Sequence, residues 1–149
     1  MVISNLNTTL ITDRLSIIIA SITEMKALRK QSNEEFFLDK RNPRAAESYL
    51  RHTLEAIFDI GRHILAKTAR RKTIEYKEIA RLLGKEKIIP HKLTNRLIPM
   101  AGYRNRLTHF YHEITDQELY EIINKDLEDI EEFVKAIQKF LVEYKGAKK

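Results

Sequence analysis

One short stretch, Arg104-Asn105-Arg106-Leu107-Thr108-His109-Phe110-Tyr111-His112, concentrates groups able to handle a phosphodiester. Cutting an RNA strand without a metal needs a base for the ribose 2′-OH proton and an acid for the departing 5′-oxygen. It also needs a cation for the charge that builds on the phosphorus oxygens. Histidine suits the acid and base roles because its ordinary pKa lies near neutrality. Arginine suits the third, since it stays charged and its fork matches phosphate oxygens. Spacing then poses a problem. At about 100° per residue Asn105 and His109 share a helix face, whereas Arg104 lies about 140° from His109, on the line of Leu97, Met100, Leu107 and Tyr111. One straight helix cannot aim Arg104 and His109 at a single phosphate. Either the helix ends just before His109, or a second copy completes the site. A symmetric dimer, which would supply two histidines and two arginines across its axis, is the preferred arrangement.

Other constellations carry less. His109, His112 and Glu113 are close in sequence, but a metal site needs ligands from a second element, so none is expected. His52 and His63 fall within about 20° on their helix yet about 16 Å apart along it, too far to share an ion. Glu55 and Asp59, four residues apart among Arg51, Arg62 and His63, read as a solvated ion-pair face. Arg70, Arg71 and Lys72 close a helix, favourably placed at the negative end of its dipole; with Arg106 they are the candidate contacts to RNA phosphates. The chain has no Gly-rich phosphate loop and no Walker pattern, and no cofactor is expected.

The elements that must position these groups are helices. Leu10, Arg14, Ile17, Ile18, Ser21, Ile22, Met25 and Leu28 recur at three-and-four spacing and predict a first amphipathic helix. Asn33 is placed to cap a short turn with Phe36 and Phe37, and Asn42-Pro43 looks like an N-cap followed by proline in the first helical position. A long helix then runs to about residue 67 with Ala46, Tyr49, Leu50, Leu54, Ile57, Ile60, Ile64 and Leu65 on its apolar face. A shorter one covers 76–83, with Gly84 as its predicted C-cap. Pro90 opens the next, where Pro99 should produce a kink. Thr115 and Glu118 have capping-box spacing, and a final helix runs from Leu119 through Leu141. No segment shows strand alternation. The expected fold is all-α: an antiparallel up-and-down bundle of four to five main helices, residues 1–149 forming one domain.

With 149 residues, a single core of adequate size is expected. Hydrophobic residues at 43% and charged residues at 32% describe a globular chain rather than a disordered one. Cysteine is absent, which excludes disulfides, thiolate metal sites and a cysteine nucleophile. The longest apolar run, 17–20, is far short of a membrane span, and the first residues lack the basic start and apolar stretch of a signal peptide, so a cytoplasmic location is expected. The net charge of +6 suits a phosphate-rich partner.

The pattern Arg-Asn-x-Leu-x-His-x-Tyr, here Arg104, Asn105, Leu107, His109 and Tyr111, resembles the signature of HEPN-domain proteins, and more narrowly of the HepT toxins. Phe36-Phe37-Leu38-Asp39, the pairs Asp59-Ile60 and His63-Ile64, and the Ile88-Ile89-Pro90 approach to the motif extend the similarity over most of the chain. The resemblance implies a HEPN-like bundle acting as a homodimeric, metal-independent endoribonuclease and toxin. In that family Arg104 and His109 would be catalytic and Asn105 supporting. A nucleotidyltransferase antitoxin of the MntA type would transfer AMP to Tyr111 and silence the enzyme. The alternative is a non-catalytic HEPN module that binds a nucleotidyltransferase and presents its substrate; an intact Arg-x-x-x-x-His favours the nuclease.

Overall fold

The computed structural model describes residues 5–69, 75–109 and 114–147, and every regular element among them is helical. These are α1 (Thr8–Arg29), α2 (Asn33–Leu38), α3 (Arg41–Thr68), α4 (Tyr76–Lys85), α5 (His91–Thr108), α6 (Asp116–Lys125) and α7 (Leu127–Ala147). Four are long and three short, the all-α up-and-down bundle that the periodicity predicts. Arg70, Arg71, Lys72, Tyr111, His112 and Glu113 lie outside the described residues. No helix among the described residues is long and apolar enough to cross a membrane.

The central element is α3, which packs against α1, α2, α4, α5 and α6. Leu50, Leu54, Ile57, Ile60, Ile64 and Leu65 are all fully buried there, each aliphatic side chain contributing about 1.5–3 kcal/mol relative to exposure. Two glycines set how closely neighbours approach. A Cβ on Gly61 would stand 2.7 Å from Ile79 Cγ2, so its absence lets α4 close on α3. Gly84 does the same for α4 against α5, where a Cβ would overlap Thr94 Oγ1. Gly84 is therefore not the predicted cap. The helix continues to Lys85, and Lys87, at φ 59°, takes the left-handed position. Ile88 N–H donates to Leu83 O and Lys87 N–H to Gly84 O, which together form a Schellman ending.

Several expected boundaries shift for physical reasons. The buried face of α1 is Ile11, Leu15, Ile18, Ile22 and Met25, while Ile17 is 41% exposed: the Ile17-Ile18-Ile19 run is apolar on every side and cannot itself fix the register. The cap of α2 is Ser32 rather than Asn33, and it forms a full capping box with Glu35. At the start of α3, Asp39 accepts the Arg41 N–H at 3.0 Å. Asn42 instead turns outward from the helix, its amide donating to Gln31 Oε1 at 3.0 Å and Phe36 O at 3.1 Å. The predicted last helix is two. It breaks at Asp126, which caps α6 and whose carbonyl accepts the Ile130 N–H as α7 begins. The carboxylates opening α7 are tied to neighbours: Glu128 to Arg29, Glu131 to Lys26, and Asp129 and Glu132 both to Arg96. α5 runs as one helix through Pro99.

Candidate active site

The end of α5 builds the site. The helix stops at Thr108, and His109 is extended (φ −102°, ψ 119°), its N–H still donating to Asn105 O at 3.2 Å. The first of the two arrangements left open by the 140° separation, a helix ending before His109, is thus the local geometry of the chain. Leaving the helix frees the His109 side chain from the face of Asn105, and it stands exposed on the wall of a cleft of about 540 Å³. Leu107 and Ile114 supply apolar lining there, Arg44, Arg51 and Arg106 the cations, and Glu47, Glu55 and Asp116 the acids.

Each of those arginines is engaged. Arg106 forks onto Glu118 with two bonds of 2.7 Å, and that pairing holds the Glu118 carboxyl below its ordinary range. Glu118 is therefore unavailable for the second half of the predicted capping box, although Thr115 still accepts the Glu118 N–H at 3.1 Å. Arg44 reaches Glu47 at 2.5 Å and also Asp116, tying α3 to the first turn of α6, and Arg51 reaches Glu47 at 2.9 Å. Asp59 pairs with Arg14 of α1 at 3.4 Å, so the expected ion-pair face of α3 is shared with another helix. His63 accepts the Asn7 N–H at 2.9 Å through Nε2.

Arg104 occupies a different setting. It is half-buried and absent from the cleft lining. Its Nη1 donates to Thr108 Oγ1, while the Thr108 hydroxyl donates to the Arg104 carbonyl at 2.9 Å. Thr108 is a site residue the motif did not single out, although its position one turn after Arg104 was a readable signal. One residue earlier on α5, Tyr103 faces Asp126; burial, more than the facing charges, pushes both the phenol and the carboxyl up from their ordinary ranges. Asn105 is half-buried and contributes its carbonyl to the turn at His109. Tyr111 falls outside the described residues. Among those described, no group of three His, Cys, Asp or Glu gathers closely enough to hold a metal.

In one chain, then, the arrangement offers an exposed imidazole at the rim of a charged cleft and a constrained arginine five residues before it. Comparison with known proteins adds that residues 18–137 match the family described as Ribonuclease HepT-like. A relative from Aphanizomenon flos-aquae (strain 2012/KM1/D3), named tRNA nuclease HepT, is 27% identical over 139 residues, spanning 93% of this chain and 95% of its own. Among solved structures, the tri-AMPylated Shewanella oneidensis HEPN toxin in complex with MNT antitoxin superposes with a TM-score of 0.77 at 23% identity, covering 87% of this chain and 97% of that one. The cytosolic protein of unknown function YutE from Bacillus subtilis gives 0.79 at 20% identity, covering 91% of each chain. At those identities the structural likeness speaks for the fold.

Proposed function

We propose, for a chain that belongs to the Ribonuclease HepT-like family, that it is the toxin of a toxin–antitoxin pair and a metal-independent endoribonuclease. Transfer RNA is the first substrate to try, after the name of the relative. The observation that carries the reading is the break of α5 at His109, which puts the motif imidazole in an open cleft. In the reaction His109 takes the proton from a ribose 2′-OH. The 2′-oxygen attacks the adjacent phosphorus and the bond to the 5′-oxygen breaks. An acid returns a proton to that oxygen, leaving a 2′,3′-cyclic phosphate and a free 5′-OH. Arg104 bears on the phosphoryl oxygens as charge builds there. Within one chain Arg104 does not line the cleft of His109, so a homodimer pairing two copies of the 104–111 segment supplies the second histidine and brings the arginines to the phosphate.

Regulation follows from Tyr111, two residues after His109. Its phenolic oxygen attacks the α-phosphate of ATP on an MntA-type nucleotidyltransferase, displacing pyrophosphate, and the attached AMP competes with RNA for Arg104. The rival reading, a non-catalytic module presenting a substrate to the nucleotidyltransferase, draws on the same separation of Arg104 from the cleft. One experiment separates them. Purified protein in chelator should cut RNA to cyclic-phosphate ends, and His109→Ala and Arg104→Ala should each reduce cleavage by at least about 100-fold, the order expected for a general acid–base group and for an electrostatic stabiliser respectively. Full activity in His109→Ala would refute the assignment.

A further inference from the structure

Arg104 is held by an aromatic ring rather than by an acid. Its guanidinium carbon lies 4.6 Å from the centroid of the Tyr76 ring, the first residue of α4. Phe58 of α3 backs that ring, with centroids 5.2 Å apart and planes at 55°, and the guanidinium of Arg62, also on α3, lies 5.4 Å from the same centroid. No ion pair forms between Arg104 and a carboxylate among the described residues, in contrast to Arg106 two positions on. Of its donors, Nη1 is bound to Thr108 and Nε is buried without a hydrogen-bond partner among the described residues, while Nη2 is neither bonded there nor buried.

The difference between the two kinds of partner is chemical. A carboxylate would neutralise the arginine and occupy the same planar fork that a phosphate needs. An aromatic ring attracts the cation through its face and leaves the charge and the outer edge unspent. We propose that Tyr76 is a positioning residue for Arg104: its ring fixes the plane of the guanidinium, with Thr108 fixing its rotation, so that the remaining edge meets the phosphoryl oxygens. The proposal rests on the nuclease reading above. The Tyr76 hydroxyl has no part in it. No local sequence signal links the two residues, since 28 positions and a change of helix separate them.

The test is cleavage of an end-labelled transfer RNA by the full chain and its variants at matched folded fraction. Tyr76→Phe keeps the ring and should stay within about two-fold of wild type. Tyr76→Leu should lower kcat on the order of ten-fold with little change in KM, because a loosened arginine is lost mainly from the transition state. Should Leu not fold, Tyr76→Met fills the gap without a ring and should show the same loss. The kcat loss at unchanged KM is the readout that mere packing would not give, and a second measurement checks the geometry itself: the wild-type Arg104 side-chain protons, assigned through Arg104→Lys, should be shifted upfield by the ring. Ringless variants with undiminished kcat, equal losses in Phe and Leu, or an unshifted Arg104 signal would each overturn the role of Tyr76 while leaving the nuclease standing. Wild-type protein that leaves RNA intact would overturn the nuclease reading itself, and this role with it.

Discussion

Replacing Gly84 by alanine sets two effects of opposite sign against each other. On propensity alone the change should help, since alanine inside a helix is favoured over glycine by about 1 kcal/mol. The structure opposes it. The new Cβ would overlap Thr94 Oγ1 and stand 3.1 Å from Thr94 Cβ and 3.3 Å from Thr94 Cγ2. Rotating the threonine cannot relieve the 3.1 Å approach to its Cβ, and Thr94 is buried on α5. Overpacking of this kind costs about 1–3 kcal/mol, and the overlap with a β-branched neighbour places it at the upper end. The net expectation is a loss of about 2 kcal/mol, or roughly 6 °C in Tm for a chain of this size. Thr94→Ala removes the obstructing hydroxyl, which is buried without a hydrogen-bond partner among the described residues. The double variant Gly84→Ala/Thr94→Ala should therefore return to within about 1 kcal/mol of the Thr94→Ala parent. Urea unfolding of the four proteins measures the cycle. A Gly84→Ala single variant as stable as wild type, or a double variant no better than the sum of the singles, would refute the close-approach argument and restore glycine as a mere helix ending.

Acid should loosen the start of α1. Burial first, and Lys67 second, hold the His63 pKa below its ordinary value; the unfolded chain therefore binds its proton first, so this contribution is intact above about pH 6.5 and fades as pH falls through the depressed folded value. Unfolding measured at pH 7.5 and pH 5 should show that loss in wild type and a flatter profile in His63→Gln, and equal losses in both would contradict it. Tyr111→Phe should keep most of the RNase activity yet resist silencing by the nucleotidyltransferase and ATP. Mass spectrometry of the co-expressed pair should find AMP on the peptide containing Tyr111, and an adduct on Tyr103 or Tyr120 instead would remove that tyrosine from the scheme. Light scattering at micromolar concentration should give twice the mass of one chain; a monomer would argue against the paired site.

The amphipathic pattern was enough for the bundle because apolar residues at three-and-four spacing have few other places to go. Its details were decided by contacts between helices, which spacing along one helix cannot report. In α1 the three consecutive isoleucines fit either register, and packing on α3 chose Ile18 over Ile17. Gly84 carries the same local signal as a cap, but its reason is Thr94, ten residues away on the next helix. The cap of α2 is a different case: Ser32 and Asn33 are both good capping residues, but Ser32-x-x-Glu35 has capping-box spacing along the chain itself, and Glu35 reaching back to the Ser32 N–H settles which one serves. At the site the motif named Arg104 and His109, and helical geometry stated that they could not converge on one straight helix. It offered the helix end before His109 as one of two ways out while preferring a dimer, and it held nothing of the ring beneath Arg104, which lies outside the motif.

The acids that open α7 also govern how a polyanion would meet this molecule. Among the described residues Glu128, Asp129, Glu131 and Glu132 pair with Lys26, Arg29 and Arg96, so the paired set is one charge negative. The chain as a whole is +6, so seven positive charges in excess are carried by its other residues. Three of the chain's cations are thus matched at α7, and the excess lies outside that set. An approaching strand is drawn in by that excess before any contact forms. The encounter rate should therefore decline steeply with added salt as the Debye length contracts from about 10 Å at 0.1 M to about 3 Å at 1 M, while the pairs that hold α7 to α1 and α5, already in contact, are weakened far less.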